Sequence, residues 1–314
     1  MGKVAWIFPG QGAQTVGMGA SLIASDEQTA QLAKRANDVL PFDLIELMTK
    51  GPQEELTLTY HTQPALLAVG AFVAERLSRA SLQPDYVAGH SLGEYTALVA
   101  SGALSFDEGV RVVYERGRHM DEAVPAGEGA MAAVLGSDRE TIERVTSQIT
   151  AEGYPVQPAN MNCPGQIVIS GSREGVERAM PALKEEGAKR VLPLQVSGPF
   201  HSSLMEPAAE QLRASLDRVM IRTSAVPVVA NVNSEPTTEA EQLKEQLVEQ
   251  LYSPVLWEDS VRRMIDEGVT HFIECGPGKV LAGLIRKIDR SVTVVPAYDE
   301  ETVERAIELA KEWE

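Results

Sequence analysis

Short apolar runs alternate along this chain with longer stretches in which apolar residues recur every three or four positions. The short runs predict buried strands and the longer ones helices, an alternation that argues for an α/β protein with a mainly parallel sheet. Val4 to Phe8 is continuous and apolar, and it ends at Pro9-Gly10. Tyr86 to Ala88 predicts a second strand, with Gly89 and a helix from about Leu92 to Ala100 behind it. Val226 to Val232, His271 to Glu274 and Val292 to Val295 predict further strands, the last stopped by Pro296. A charged amphipathic helix is expected over Glu301 to Trp313.

The middle of the chain has a different rhythm. Ala130 to Leu135 predicts a strand, and Arg139 to Ile149 a helix with Ile142, Val145 and Ile149 on one face. Pro155 to Asn160 and Gln166 to Ser170 predict two strands joined by a turn at Asn162-Cys163-Pro164-Gly165. Glu174 to Glu186 predicts a helix, and Arg190 to Val196 closes as a strand. This β-α-β-β-α-β order is that of the ferredoxin-like unit. The expected organisation is a larger α/β domain, residues 1–125 and 197–314, carrying an inserted ferredoxin-like domain at 126–196. Pro125-Ala126-Gly127 and Ser197-Gly198-Pro199 are its expected hinges.

Composition narrows the function. The 314 residues carry 28 Lys and Arg against 45 Asp and Glu, a formal charge of −17. Nucleic acid and anionic membrane both need a basic excess, so neither is an expected partner. The longest near-continuous apolar run, Pro64 to Ala74, is about half of a membrane span. The apolar stretch before Pro9 is too short for a signal peptide. Two cysteines, Cys163 and Cys275, can build neither a disulfide framework nor a cysteine-based zinc cage. A cytoplasmic protein is the expectation.

The strongest chemical signal is Gly89-His90-Ser91-Leu92-Gly93, a G-x-S-x-G between a predicted strand and a predicted helix. A strand turning sharply into a helix strains the serine and projects its hydroxyl at the helix N-terminus. The flanking positions need Gly because neighbouring backbone passes close. The amide of Leu92 is placed to donate to a developing oxyanion. In this respect the larger domain is α/β-hydrolase-like. A serine nucleophile needs a base. Of five histidines, His61, His119 and His271 lie in ordinary helical or strand contexts, and the His90 side chain is expected to point away from the serine's pocket. His201, on the turn after Ser197-Gly198-Pro199-Phe200, is placed to reach Ser91; a surface histidine near a helix cap is the bland alternative. The usual third member, an Asp or Glu between the two, has no evident candidate, since the carboxylates there fall mostly in solvent-facing helical runs. Pro9-Gly10-Gln11-Gly12-Ala13-Gln14 follows the first strand and is neither a phosphate loop nor a dinucleotide fingerprint. Beside Ser91 it makes sense as an oxyanion loop; by itself it is equally a simple strand-to-helix turn.

Taken together, Gly10-Gln11-Gly12-Ala13-Gln14, Gly89-His90-Ser91-Leu92-Gly93-Glu94, Arg116-Gly117, Asn160 with Asn162-Cys163-Pro164-Gly165-Gln166, Phe200-His201-Ser202, Gln250 to Val255 and Gly276-Pro277-Gly278 closely resemble the malonyl-CoA:acyl carrier protein transacylase family. The resemblance runs in order from about Val4 to Arg286. It implies Ser91 as the acyl-accepting nucleophile and His201 as its base, with the backbone carbonyl of Gln250 orienting His201 in place of a carboxylate. It further implies the amides of Gln11 and Leu92 as an oxyanion hole and Arg116 as a clamp on the substrate's free carboxylate. Met120 would wall the acyl pocket, with Asn160, Asn162 and Phe200 among the substrate-binding residues. Without the resemblance, Arg116 reads as a solvated helix-face arginine and Met120 as a core residue.

The implied substrate is malonyl-CoA and the implied partner an acyl carrier protein, with no metal or other cofactor. A free-standing acyltransferase for a polyketide synthase, a serine esterase and a non-catalytic carrier-binding module are the competing readings. Carrier proteins of this pathway are acidic, so docking on a chain of −17 requires a local basic patch. Lys184, Lys189 and Arg190, or Arg286, Lys287 and Arg290, are the candidates.

Overall fold

The computed structural model describes residues 2–313. Ten strands form two sheets: β1 (Lys3–Phe8), β2 (Tyr86–Gly89), β3 (Gly129–Leu135), β4 (Val156–Cys163), β5 (Gln166–Ser172), β6 (Arg190–Pro193), β7 (Val228–Val229), β8 (Pro236–Thr237), β9 (Val269–Cys275) and β10 (Thr293–Ala297). The larger sheet has the order β10-β9-β1-β2-β7-β8 and is parallel except for the β7–β8 hairpin. Its central strand is apolar on both faces. Trp6 and Phe8 join the core under the Thr59–Arg79 helix, whereas Ala5 and Ile7 join the core on the opposite face with Trp257 and Phe272. Helices on both sides of a parallel sheet explain why β1 reads as a continuous apolar run rather than an alternating one.

The smaller sheet has the order β4-β5-β3-β6 and is antiparallel throughout. Ala132, Val134, Ile167 and Ile169 face the helices Arg139–Ala151 and Glu174's helix, Arg173–Glu185. Met131 and Val168 point the other way, into the core shared with the larger sheet. β4 is tied to the segment behind Gln250, with the Met161 amide donating to the Val255 carbonyl at 2.9 Å and the Val255 amide to Ala159 at 2.8 Å.

Three sequence expectations need correction. The strand expected over Val226 to Val232 pairs only at Val228–Val229, and the antiparallel Pro236–Thr237 beside it was not foreseen. The Asn231 amide leaves the sheet because it donates to the Glu94 carboxylate at 3.1 Å. The last strand runs through Pro296 instead of stopping there. It is an edge strand paired only with β9, where a missing N–H can face outward. Asn162 and Cys163, assigned to a turn, belong to β4, which extends with two register shifts to a tight turn at Pro164-Gly165.

Candidate active site

Ser91 sits between β2 and the Leu92–Ala100 helix with φ 50 and ψ −106, a conformation that costs on the order of 1–3 kcal/mol. The flanking glycines are required by close approach. A Cβ on Gly89 would lie 1.8 Å from the Gly93 carbonyl carbon, and one on Gly93 would lie 2.0 Å from the Phe8 oxygen. His201 also has positive φ, 58. Ser91 and His201 are thus both held in sparsely populated backbone conformations by the surrounding fold.

Ser91 Oγ lies 2.7 Å from His201 Nε2, and His201 Nδ1 lies 2.8 Å from the Gln250 backbone oxygen. A carbonyl only accepts, so Nδ1 carries the proton and Nε2 is left to accept the serine's. Burial and the nearby Arg116 hold the His201 pKa down at about 3. The imidazole is therefore neutral, and able to act as a base, throughout the physiological range.

Arg116, on the Phe106–Glu122 helix, is 1% exposed, which removes the solvated-face reading. Its Nη1 donates to Gln63 Oε1 at 2.9 Å; its Nη2 donates to Gln250 Oε1 at 2.9 Å and to Ser91 Oγ at 3.1 Å. The guanidinium lies over the Tyr95 ring, 5.2 Å from the centroid. Two terminal nitrogens held by neutral acceptors beside the Ser91 hydroxyl form a fork suited to a carboxylate.

Gln11 is brought to the elbow by the loop after β1, where a Cβ on Gly10 would lie 2.4 Å from the His90 oxygen. Neither the Gln11 nor the Leu92 amide is engaged by a protein acceptor among the described residues. Gln11, His90, Asn160 and Asn162 line a cleft of about 270 Å³ whose apolar walls include Leu194 from the smaller unit and Val280 from the larger. His90 Nε2 lies 2.8 Å from Asn162 Oδ1. The remaining histidines are structural, His61 on the Glu55 carbonyl, His119 on Ser215 and His271 stacked on Trp313. Met120 and Phe200 are core residues, 2% and 6% exposed. Met120 Sδ accepts from Gln63 Nε2 at 3.4 Å, so it backs the residue that holds Arg116.

Sequence reasoning missed Glu94, Asn231 and Gln63. The carboxylates between Ser91 and His201 are not all solvent-facing: Glu94 is 1% exposed, its Oε2 accepting from Gln250 Nε2 at 2.9 Å. It does not touch His201; the Gln250 carbonyl occupies that place. The signal for Glu94 was available, since it is the one charged residue in a helix reading Leu92-Gly93-Glu94-Tyr95-Thr96-Ala97-Leu98 that has no charged face to turn to solvent. Asn231, fully buried, accepts the Ser91 amide at 2.8 Å and donates to the Gly89 carbonyl at 2.7 Å, clamping both sides of the elbow.

The acyl transferase domain family model matches residues 5–310. A malonyl CoA-acyl carrier protein transacylase of Bacillus subtilis (strain 168) is 53% identical over 312 residues, covering 99% of this chain and 98% of the relative. One from Staphylococcus aureus (strain COL) is 46% identical over 93% of this chain and 94% of its own length. Among solved structures, an acyl carrier protein S-malonyltransferase from Vibrio cholerae matches with TM-score 0.94 at 43% identity, covering 97% of this chain and 99% of its own. A malonyl-transacylase solved in complex with its type II polyketide synthase acyl carrier protein matches with TM-score 0.95 at 42% identity, over 98% and 99% of the two chains.

Proposed function

We propose that this chain, which belongs to the acyl transferase domain family, transfers the malonyl group from malonyl-CoA to the phosphopantetheine thiol of acyl carrier protein, feeding fatty-acid synthesis. The observation that carries the reading is a single buried fork: Arg116 reaches the same serine oxygen that His201 Nε2 contacts. Ser91 gives its proton to His201 and attacks the malonyl thioester carbonyl. The Gln11 and Leu92 amides receive the developing oxyanion. The intermediate collapses, His201 returns the proton to the leaving sulfur, and CoA departs. Arg116 exchanges its neutral acceptors for the malonyl carboxylate and holds the acyl group on the serine. The carrier's thiol then runs the same steps in reverse. The Gln250 carbonyl orients His201 throughout. It stabilises an imidazolium less than a carboxylate would, which keeps the proton mobile in both directions.

The cleft between Asn160 and Val280 suits the narrow phosphopantetheine arm, with Asn160, Asn162 and His90 offering polar contacts among apolar walls. Each basic cluster has residues on or next to an element that leads to a wall of it. Lys189 and Arg190 sit at the start of β6, whose continuation supplies Leu194, while Arg286 and Lys287 lie on the Val280–Ile288 helix. All are exposed and make no ion pair among the described residues, unlike the arginines of many neighbouring helices. The steps call on no metal or redox group. We assign residues 1–125 and 197–314 to the catalytic domain and 126–196 to the insertion. No helix among the described residues is long and apolar enough to cross a membrane, and both free cysteines are buried, which supports a cytoplasmic placement.

The reading is tested by incubating the protein with malonyl-CoA and mapping the adduct by mass spectrometry. A malonyl ester on the Ser91 peptide, discharged by carrier protein and slow to hydrolyse without it, is expected. Absence of the adduct refutes acyl transfer, and rapid loss to water would indicate an esterase.

A further inference from the structure

Behind the nucleophile lies a carboxylate that the two-step exchange does not use. Glu94 Oε2 accepts from the Asn231 amide and from Gln250 Nε2, and Glu94 Oε1 has no partner among the described residues. The other end of the same Gln250 amide accepts from Arg116 Nη2. One side-chain amide therefore spans the two buried charges, its donor end on the carboxylate and its acceptor end on the guanidinium. Every direct acceptor of Arg116, namely Gln63, Gln250 and Ser91, is neutral. A buried guanidinium without a counter-charge is costly, and Glu94 is the carboxylate this network provides.

The titratable and charged groups around Glu94 are Arg116 from the Phe106–Glu122 helix, Tyr95 on its own helix and His201 on the far side of Gln250. Burial pushes the Tyr95 hydroxyl up and holds His201 down, so both are neutral near pH 7. Burial also raises Glu94, to about 7, against the pull of Asn231, Gln250 and Arg116. Glu94 is thus the group of the network that changes charge near neutrality.

We propose that Glu94 is the counter-charge of the empty Arg116 clamp, and that it takes a proton from solvent when the malonyl carboxylate docks and supersedes it. The inference rests on reading Arg116 as the clamp. The physical reason is stoichiometric: two carboxylates then share one buried guanidinium, and the one already destabilised by burial neutralises. The proton adds to the unpartnered Oε1, and no other bond changes. Glu94 is a positioning residue, since it acts through Gln250 and Arg116. Malonyl affinity should fall as pH rises through Glu94's titration, by up to about tenfold per unit, and acetyl affinity should not.

The test uses Ser91→Ala protein, which binds acyl-CoA without turnover. Calorimetric titrations with malonyl-CoA and acetyl-CoA at about pH 8, in buffers of different ionisation enthalpy, give the protons taken up. The CoA moiety cancels in the difference. Malonyl-CoA should take up as much as one proton more than acetyl-CoA, and Glu94→Gln in the same background should abolish the excess. Tighter malonyl binding without excess uptake overturns this inference and leaves the clamp standing. Equal affinity for the two thioesters overturns both. Excess uptake that survives Glu94→Gln assigns the proton elsewhere and overturns it too. Should Glu94→Gln fail to fold, the uptake in Ser91→Ala decides alone. It must be near zero below about pH 6 and rise through about 7, and a flat profile refutes it.

Discussion

Asn231→Ala is the sharpest probe of how the elbow is held. The side chain is fully buried and makes three hydrogen bonds: from the Ser91 amide at 2.8 Å, to the Gly89 carbonyl at 2.7 Å and from Gln250 Nε2 at 3.2 Å. Gln250 Nε2 keeps other acceptors, the Ser91 carbonyl and Glu94, so its loss is small. The Ser91 amide and the Gly89 carbonyl lose a partner in a dry site, at about 1–3 kcal/mol each. The variant should therefore be destabilised by roughly 2–5 kcal/mol, a large share of a typical folding free energy. Urea unfolding followed by the fluorescence of the buried Trp6 and Trp257 measures this. Ser91 is also freed to relax from its strained conformation. A shift of about 1 Å away from His201 Nε2 should slow malonyl loading roughly a hundredfold. Stability within about 0.5 kcal/mol of the parent, together with an unchanged loading rate, would show that Gly89 and Gly93 hold the elbow unaided.

Arg116→Ala should lower the ratio of malonyl to acetyl loading by about a hundredfold, corresponding to roughly 3 kcal/mol of lost charge-assisted hydrogen bonding; an unchanged ratio in single-turnover assays removes Arg116 as the clamp. His201 has a folded pKa depressed from 6.5 to about 3, so below pH 6.5 the unfolded chain binds a proton the folded one does not. Stability should fall as pH drops through that window, by up to about 1.4 kcal/mol per unit from this group, and His201→Asn should flatten the dependence in urea midpoints measured between about pH 6.5 and 4. Reversing Arg286 and Lys287 to Glu should raise KM for acyl carrier protein by roughly fivefold to tenfold and leave that for malonyl-CoA nearly unchanged; equal changes in both would move the docking surface elsewhere.

Much of the architecture was legible because it is written in local pattern. The continuous apolar run at β1 and the β-α-β-β-α-β order of the middle segment each follow from side-chain periodicity, and the elbow from two glycines that steric contact requires. Ser91 stood out because it sits in a G-x-S-x-G between a strand and a helix, and His201 because it follows the turn at Ser197-Gly198-Pro199-Phe200. Edges were read less well. Pro296 continues a strand because that strand has one neighbour, and Cys163 joins β4 because Gln166 of β5 pairs with it, carrying Asn162 along in the register shift between Met161 and Cys163. Neither fact exists until the sheets assemble.

The sequence by itself determined which residues carry reactive groups and on which elements they ride, since those depend on chain-local sterics and hydrophobic spacing. Only the tertiary structure decided what surrounds them. Arg116 is a solvated helix arginine or a buried fork according to whether Gln63, Gln250 and Ser91, spread over 188 positions of chain, meet at its nitrogens. Whether a carboxylate or a carbonyl meets His201 is likewise decided by packing. Glu94 is present and buried, but the Gln250 backbone comes between it and His201. Charge state follows from that arrangement, because burial and neighbours, not residue type, set whether a carboxylate or an imidazole is charged at neutral pH.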